Sequence, residues 1–225
     1  MCGRNSLFPP ASDLETRFDA RLHVERYRPR YNIAPGEETA VITNDSPDKI
    51  VGFEWGLRPS WMGADDSGFI NAKSETAAEK RSFQSAWKTR PCLVLSSGFY
   101  EWQSQPKGPK QPYRIHRQDD LAFAFAGLWE PASAPADNDT VTILTTDANA
   151  LVESIHDRMP VILPQEREQQ WLTADPDERQ LLCEPYPSDD LAAYPISTRV
   201  NNPVNDDPQI IEETARSQTD LGAYG

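Results

Sequence analysis

The sequence predicts an α+β fold, a single compact domain over residues 1–225 with a mainly antiparallel β core and short flanking helices. Two observations carry that expectation. Strand-like runs rich in β-branched and aromatic residues are scattered along the whole chain, and helical patterns between them are few and short. Such scattering fits an α+β arrangement, whereas a βαβ series would alternate the two types. With 225 residues, the chain is long enough for one well-packed core.

The elements follow in order. Ser12-Asp13 reads as a cap, and Leu14, Phe18 and Leu22 recur at helical spacing, predicting an amphipathic helix over residues 12–22. An arginine-rich stretch from Arg26 to Arg30 leads to a Pro35-Gly36 turn. Thr39 to Thr43 and Ile50 to Trp55 read as paired strands, with Asn44 to Asp48 as the loop between them. The Trp55 to Trp61 segment contains Pro59 and is expected to be irregular, presenting aromatics. Phe69-Ile70 leads into Asn71 to Thr76, followed by helical stretches through Arg81 and around Phe83 to Trp87. Cys92 to Leu95 is a buried strand continued by Gly98 to Trp102, and Gln103 to Gln111 is a polar loop. Tyr113 to His116 and Leu121 to Trp129 read as a hairpin across Gln118 to Asp120. After a soft loop from Pro131 to Asp139 come a strand over Val141 to Thr146 and a helical stretch over Ala148 to Ile155. Met159 to Leu163 is extended, and Glu166 to Leu172 is helical. From about residue 175 to 225 the chain is acidic and proline-rich, with ordered pieces at Ile196 to Val200 and Ile210-Ile211.

Composition narrows the function. No apolar run approaches the roughly 20 residues that cross a bilayer, and no basic-then-apolar leader opens the chain. The expectation is a soluble cytoplasmic protein. The three cysteines, Cys2, Cys92 and Cys183, show neither metal-ligand spacing nor a disulfide framework, so no metal and no cofactor are expected. Cys92 and Cys183 follow or enter apolar runs and read as core thiols. The net charge of −13 argues against nucleic acid on its face. Yet the chain has only six lysines and pairs its aspartates at Asp65-Asp66, Asp119-Asp120, Asp189-Asp190 and Asp206-Asp207. An acidic, lysine-poor surface fits adaptation to high salt, where repulsion is screened. A halophilic protein should gain thermal stability between low and molar salt; equal melting midpoints in both would overturn that expectation.

Candidate reactive groups begin with Cys2. Loss of Met1 would place a free amine and a thiol on adjacent carbons, with ordinary pKa values of roughly 7.7–8.0 and about 8.5. The amine can condense with an aldehyde and the thiol can close a thiazolidine, or the amine can serve as the thiol's base in amide hydrolysis. Glu101, between Tyr100 and Trp102, faces either solvent or the interior; inward, its pKa should rise and suit proton transfer. His156 lies in a charged turn between apolar segments, where functional loops concentrate. Asn71 precedes a helical stretch and either caps it or holds a ligand. Trp55 and Trp61 read as core or as base-stacking platforms. Arg4, Arg81 and Arg158 read as surface charges or, if convergent, as a phosphate cradle.

Seven blocks, in order, resemble the SRAP family of SOS-response-associated peptidase-like proteins: Cys2-Gly3-Arg4, Tyr31 to Gly36, Trp55-Gly56-Leu57 with Pro59-Ser60-Trp61, Asn71-Ala72-Lys73 with Glu75-Thr76, Gly98 to Trp102, Ala126 to Glu130, and Ile155 to Pro160. They span residues 2–163, with a weaker echo from Asn201 to Glu212. The resemblance implies the SRAP fold and a monomeric sensor of abasic sites in single-stranded DNA, acting at the nucleoid during repair and the SOS response. Cys2 would form the covalent thiazolidine crosslink after loss of Met1, through self-processing or a host aminopeptidase. Asn71 would orient the sugar or the Cys2 amine, Glu101 would shuttle protons, and His156 would be a second acid/base. Arg4, Arg81, Arg158 and Thr145 match phosphate-holding positions; Asn32, Pro35, Trp61 and Met159 match the region shaping the strand's path. Lys73 stands where the family usually has arginine, which turns a bidentate contact into a point charge. Met62 stands where some members have a second tryptophan. Two other classes compete: an N-terminal-nucleophile cysteine amidohydrolase, and a non-catalytic single-stranded DNA-binding module.

Overall fold

The chain enters the fold as a buried strand. In β1 (Asn5–Leu7) the polar Asn5 and Ser6 are fully buried, because Asn5 Nδ2 donates to Leu95 O at 3.3 Å and Asn5 Oδ1 accepts from Ser96 Oγ at 2.7 Å. α1 (Ala11–Phe18) turns Leu14 inward and anchors itself through Arg17, which donates to Glu168 Oε1 at 2.6 Å. It ends four residues earlier than the spacing predicts. Asp19 adopts the left-handed region at φ 49°, which halts the helix, and Leu22 belongs instead to β2 (Arg21–Leu22), which runs parallel to Lys49-Ile50. The structure is a computed structural model that describes residues 2–63, 67–132 and 138–214. The expectations for Met1, for Asp65-Asp66, for most of the loop from Pro131 to Asp139 and for the last part of the acidic C-terminal portion lie outside those residues.

β3 (Arg30–Ile33), β4 (Glu38–Thr43) and β5 (Ser46–Trp55) follow. The loop expected over Asn44 to Asp48 shrinks to a two-residue turn, since Thr43 pairs with Ser46. Asn and Asp suit such tight hairpin turns. β6 (Asn71–Lys73) runs into α2 (Ser74–Ala77), and α3 (Gln84–Thr89) precedes β7 (Pro91–Ser96). Here a second expectation changes. β8 (Gly98–Gln103) does not continue β7, because the chain leaves one sheet and joins another between Ser96 and Gly98. Gly98 makes the switch at φ +156°, where a Cβ would lie 3.1 Å from the Ile115 carbonyl oxygen.

β9 (Gln111–Arg117) and β10 (Phe123–Glu130) do not form the expected hairpin either. β9 pairs with β8, while β10 pairs with β7, so the Asp119-Asp120 turn connects two sheets. β11 (Thr140–Asp147) is followed by turns, not a helix, over Ala148 to Ile155, then by β12 (Arg158–Pro160) and β13 (Ile162–Leu163). α4 (Gln165–Thr173) confirms the short helix expected there; α5 (Pro176–Gln180) and β14 (Leu191–Pro195) lead to 3-10 turns at Thr198–Asn201 and Pro208–Ile211.

One sheet is antiparallel throughout, in the order β14-β9-β8-β1-β3. The other runs β12-β11-β10-β7-β4-β5-β2, and β5 returns to pair in parallel with β11 at Glu54–Thr140 and Trp55–Val141. That pairing closes β11, β10, β7, β4 and β5 into a barrel, which removes the exposed edges. The main core fills it, with Phe99, Phe123 and Phe125 meeting edge to face. A smaller core of Tyr100, Ile196, Val200 and Ile210 lies on the other face of β8. The described residues thus make one compact α+β domain with mostly antiparallel strands. No helix among them is long and apolar enough to cross a membrane.

Candidate active site

β8 lies between the two cores, and that decides where Glu101 points. Side chains alternate along a strand, so Glu101 shares a face with Phe99 in the main core while Tyr100 faces the smaller one. Glu101 is accordingly only 2% exposed. Burial pushes its carboxyl above the ordinary range, and the nearby His156 opposes that rise.

Cys2 is fully buried beside it. Tyr100 N donates to Arg4 O at 3.2 Å, which extends the β1–β8 pairing toward the N-terminus and lays Cys2 along β8. The thiol donates weakly to Arg4 O at 3.6 Å. Burial, and secondarily the charge of Glu101, hold the thiol far above its ordinary pKa, so it stays protonated near neutrality.

Asn71 caps no helix: it begins β6, and Lys73 occupies the N-cap of α2. Its Nδ2 donates to Cys2 O at 2.8 Å, whereas its Oδ1 is buried with no hydrogen-bond partner among the described residues. An unpaired buried carbonyl costs free energy and marks a place where a donor belongs. His156 closes the turns after Ala148, with its N donating to Val152 O at 2.8 Å and its Nδ1 accepting from Arg158 N at 3.0 Å. Cys2, Asn71, Glu101 and His156 therefore come from four separate stretches of chain, linked by the Asn71 hydrogen bond and by the mutual charge effects of Cys2, Glu101 and His156. Together they offer a nucleophile, an oriented carbonyl and a proton-holding carboxyl.

The residues matched to DNA contacts divide in two. Pro35, Trp61, Lys73 and Arg81 are exposed, and the Arg81 guanidinium covers the Trp61 ring at 4.8 Å. Arg4 is half-buried; its Nη2 donates to Asn201 O at 3.1 Å, while Nε and Nη1 are buried with no partner among the described residues. By contrast, Asn32, Thr145 and Met159 are completely buried. Thr145 pairs with Lys73 on one side and Pro160 on the other, so β11 aligns β6 and β12. Arg158 is engaged by Glu75 Oε1 at 2.5 Å, Asp147 Oδ1 at 2.7 Å and Thr145 O at 2.7 Å. Two carboxylates already occupy its Nη atoms and leave only Nε unpaired, whereas Arg4 has two buried nitrogens, Nε and Nη1, without a partner among the described residues.

One region that the sequence marked only as a weaker family echo, from Asn201 to Glu212, proves to be tied to β3. Asn32 Nδ2 donates to the carbonyls of Val200, Asn202 and Asn205, at 3.2, 3.1 and 2.8 Å, and Asp206 accepts from the backbone of Tyr31 and Asn32 at 2.6 and 3.0 Å. Arg30 and Arg28 also close on Asp206, at 2.6 and 2.9 Å. The polar, proline-bearing run from Asn201 to Asp207 is thus a strap tied to β3. Its available signal was the residue type: amides and aspartates that bond to backbone without regular structure.

The family model described as "SOS response associated peptidase (SRAP)" matches residues 1–203. The chain is 42% identical over 222 residues to the abasic site processing protein YoqW of Bacillus subtilis, covering 94% of this chain and 99% of that one. It is 34% identical to the abasic site processing protein HMCES of Gallus gallus, covering 84% of this chain and 68% of that one. A crystal structure of a Bacteroides thetaiotaomicron protein superposes with a TM-score of 0.84 at 28% identity, covering 95% of this chain and all of that one.

Proposed function

Because this chain belongs to the SOS response associated peptidase family, we propose that it processes abasic sites in single-stranded DNA by forming a covalent crosslink through Cys2 once Met1 has gone. The observation that carries this reading is the pairing of Cys2 with Asn71, whose second polar atom is buried and has no partner among the described residues. An N-terminal amine or a sugar hydroxyl is the donor that atom lacks.

The chemistry follows from the group states. The thiol is protonated, so the Cys2 amine attacks the C1′ aldehyde first. The carbinolamine loses water with a proton supplied by Glu101, leaving an iminium and the Glu101 carboxylate. The sulfur then adds to the same carbon, its proton passes to Glu101, and a thiazolidine results with net loss of one water. Asn71 orients the amine and His156 assists opening of the sugar. Arg4, Lys73 and Arg81 hold phosphates, and Pro35 and Trp61 line the strand's path; Asn32, Thr145, Arg158 and Met159 support that surface from behind. The peptidase in the family's name fits removal of Met1 by the same thiol. The acidic charge balance calls for assays in high salt.

The test is to incubate the protein with single-stranded DNA carrying one abasic site and to read intact mass under denaturing conditions. The expected species is one water lighter than protein plus DNA. Failure to form it by a chain whose Met1 is demonstrably absent would exclude crosslinking; turnover of amide substrates by that chain would then select the amidohydrolase class, and reversible binding alone the DNA-binding module.

A further inference from the structure

The two residues that flank the reactive pair, Arg4 and Trp102, are both held by one exposed residue far along the chain. Arg4 Nη2 donates to Asn201 O at 3.1 Å, and Trp102 Nε1 donates to Asn201 Oδ1 at 2.8 Å. Arg4 lies two residues after Cys2, and Trp102 follows Glu101. Asn201 is itself held in place, since Asn32 grips the carbonyls of Val200 and Asn202 on either side of it. Asp206 pins the far end of the strap to β3 through Tyr31 N and Asn32 N.

This arrangement fixes which donors of the Arg4 guanidinium are left over. With Nη2 committed to Asn201, the buried Nε and Nη1 have no partner among the described residues. Nε and Nη1 lie on different edges of the guanidinium, each beside Nη2, so each is left as a single charged donor for an anionic oxygen. A flexible arginine would lose rotamer freedom on binding; a clamped one has lost it during folding.

We propose that Asn201 is a positioning residue for DNA binding, clamping Arg4 so that its two remaining donors, Nε and Nη1, are pre-set for backbone phosphate oxygens of the strand. The inference rests on the proposed abasic-site function and gives that site a support outside the seven sequence blocks that pointed to it. Asn201 touches no reacting atom; it acts through Arg4, with Trp102 as its second anchor. Because Asn201 is exposed, its replacement removes the Trp102 anchor without opening the core.

The experiment compares wild type, Asn201→Gly, Arg4→Ala and the double variant on single-stranded DNA, with equilibrium binding measured by anisotropy across a salt series. Adduct formation at saturating abasic DNA is followed in parallel. Asn201→Gly removes the Trp102 acceptor and loosens the carbonyl that Arg4 uses. It should weaken binding about tenfold and lower the salt slope by roughly 0.7, the share of one phosphate on a single strand. The adduct rate at saturation should change less than twofold. The double variant should bind no worse than Arg4→Ala alone, because the two residues act as one. Trp102→Phe, which keeps the ring and removes only the indole donor, should reproduce part of the loss. Additive losses in the double variant, or an unchanged salt slope in Asn201→Gly, would overturn the clamp while wild-type crosslinking stands. A wild type that neither binds nor crosslinks would instead overturn the functional reading beneath it.

Discussion

Cys2→Ala is expected to abolish the stable adduct while sparing the first bond. With Met1 removed, the substituted alanine still presents an α-amine, so an imine with the abasic aldehyde can form and can be trapped by borohydride. Without sulfur that imine has no second nucleophile, and water reverses it. The yield of adduct surviving denaturation should fall below detection without reductant and recover when reductant is present. The substitution removes one buried sulfur, so a stability loss of about 1 kcal/mol is the ordinary expectation and leaves the protein folded. An adduct from the alanine variant as durable as wild type would sink the thiazolidine. Intact mass of the unreacted variant adds a second answer: retained Met1 would show that the thiol removes it, and loss of Met1 would assign removal to an aminopeptidase.

The reach of sequence reasoning can be judged on particular residues. The barrel strands β4, β5, β7, β10 and β11 were visible because a buried strand must be apolar and bounded by turn residues. Neighbours were not visible. A period of two says that β9 and β10 are strands but not which sheet each joins, and the predicted hairpin failed on that point. The continuous strand from Cys92 to Trp102 failed likewise, at the switch between Ser96 and Gly98. The inward aim of Glu101 was undecidable from one strand, since it follows from β8 having a core on both faces. Cys2, Asn71, Glu101 and His156 were legible as residue types through the seven ordered blocks, yet their convergence depends on long-range pairing. The strap read only as part of an acidic, proline-rich portion with a weak family echo, because its order comes from Asn32 and Asp206, 174 positions apart, and not from any local period.

The second large effect belongs to Glu101→Gln, which keeps the shape and removes the titrating proton. Loss of a positioned acid or base costs typically 10²–10⁴-fold in rate, and adduct formation at saturating abasic DNA should slow within that range. The pH dependence fixes the assignment. Burial raises the Glu101 pKa in the folded protein, so the carboxyl remains a proton donor above the pH at which an exposed glutamate has ionised. The wild-type rate should therefore show a limb that declines as pH rises through that raised value, and the Gln variant should lack it. Stability separates this from misfolding. A carboxyl whose folded pKa lies above its unfolded value contributes stability below the unfolded value and loses it as pH rises through the folded one. Glutamine carries no such loss, so relative to wild type the variant should gain in melting midpoint as pH rises. A slow variant that keeps the declining limb would assign the proton to His156 instead. A variant as fast as wild type at every pH would remove Glu101 from the chemistry and leave its burial as an unexplained cost to the fold.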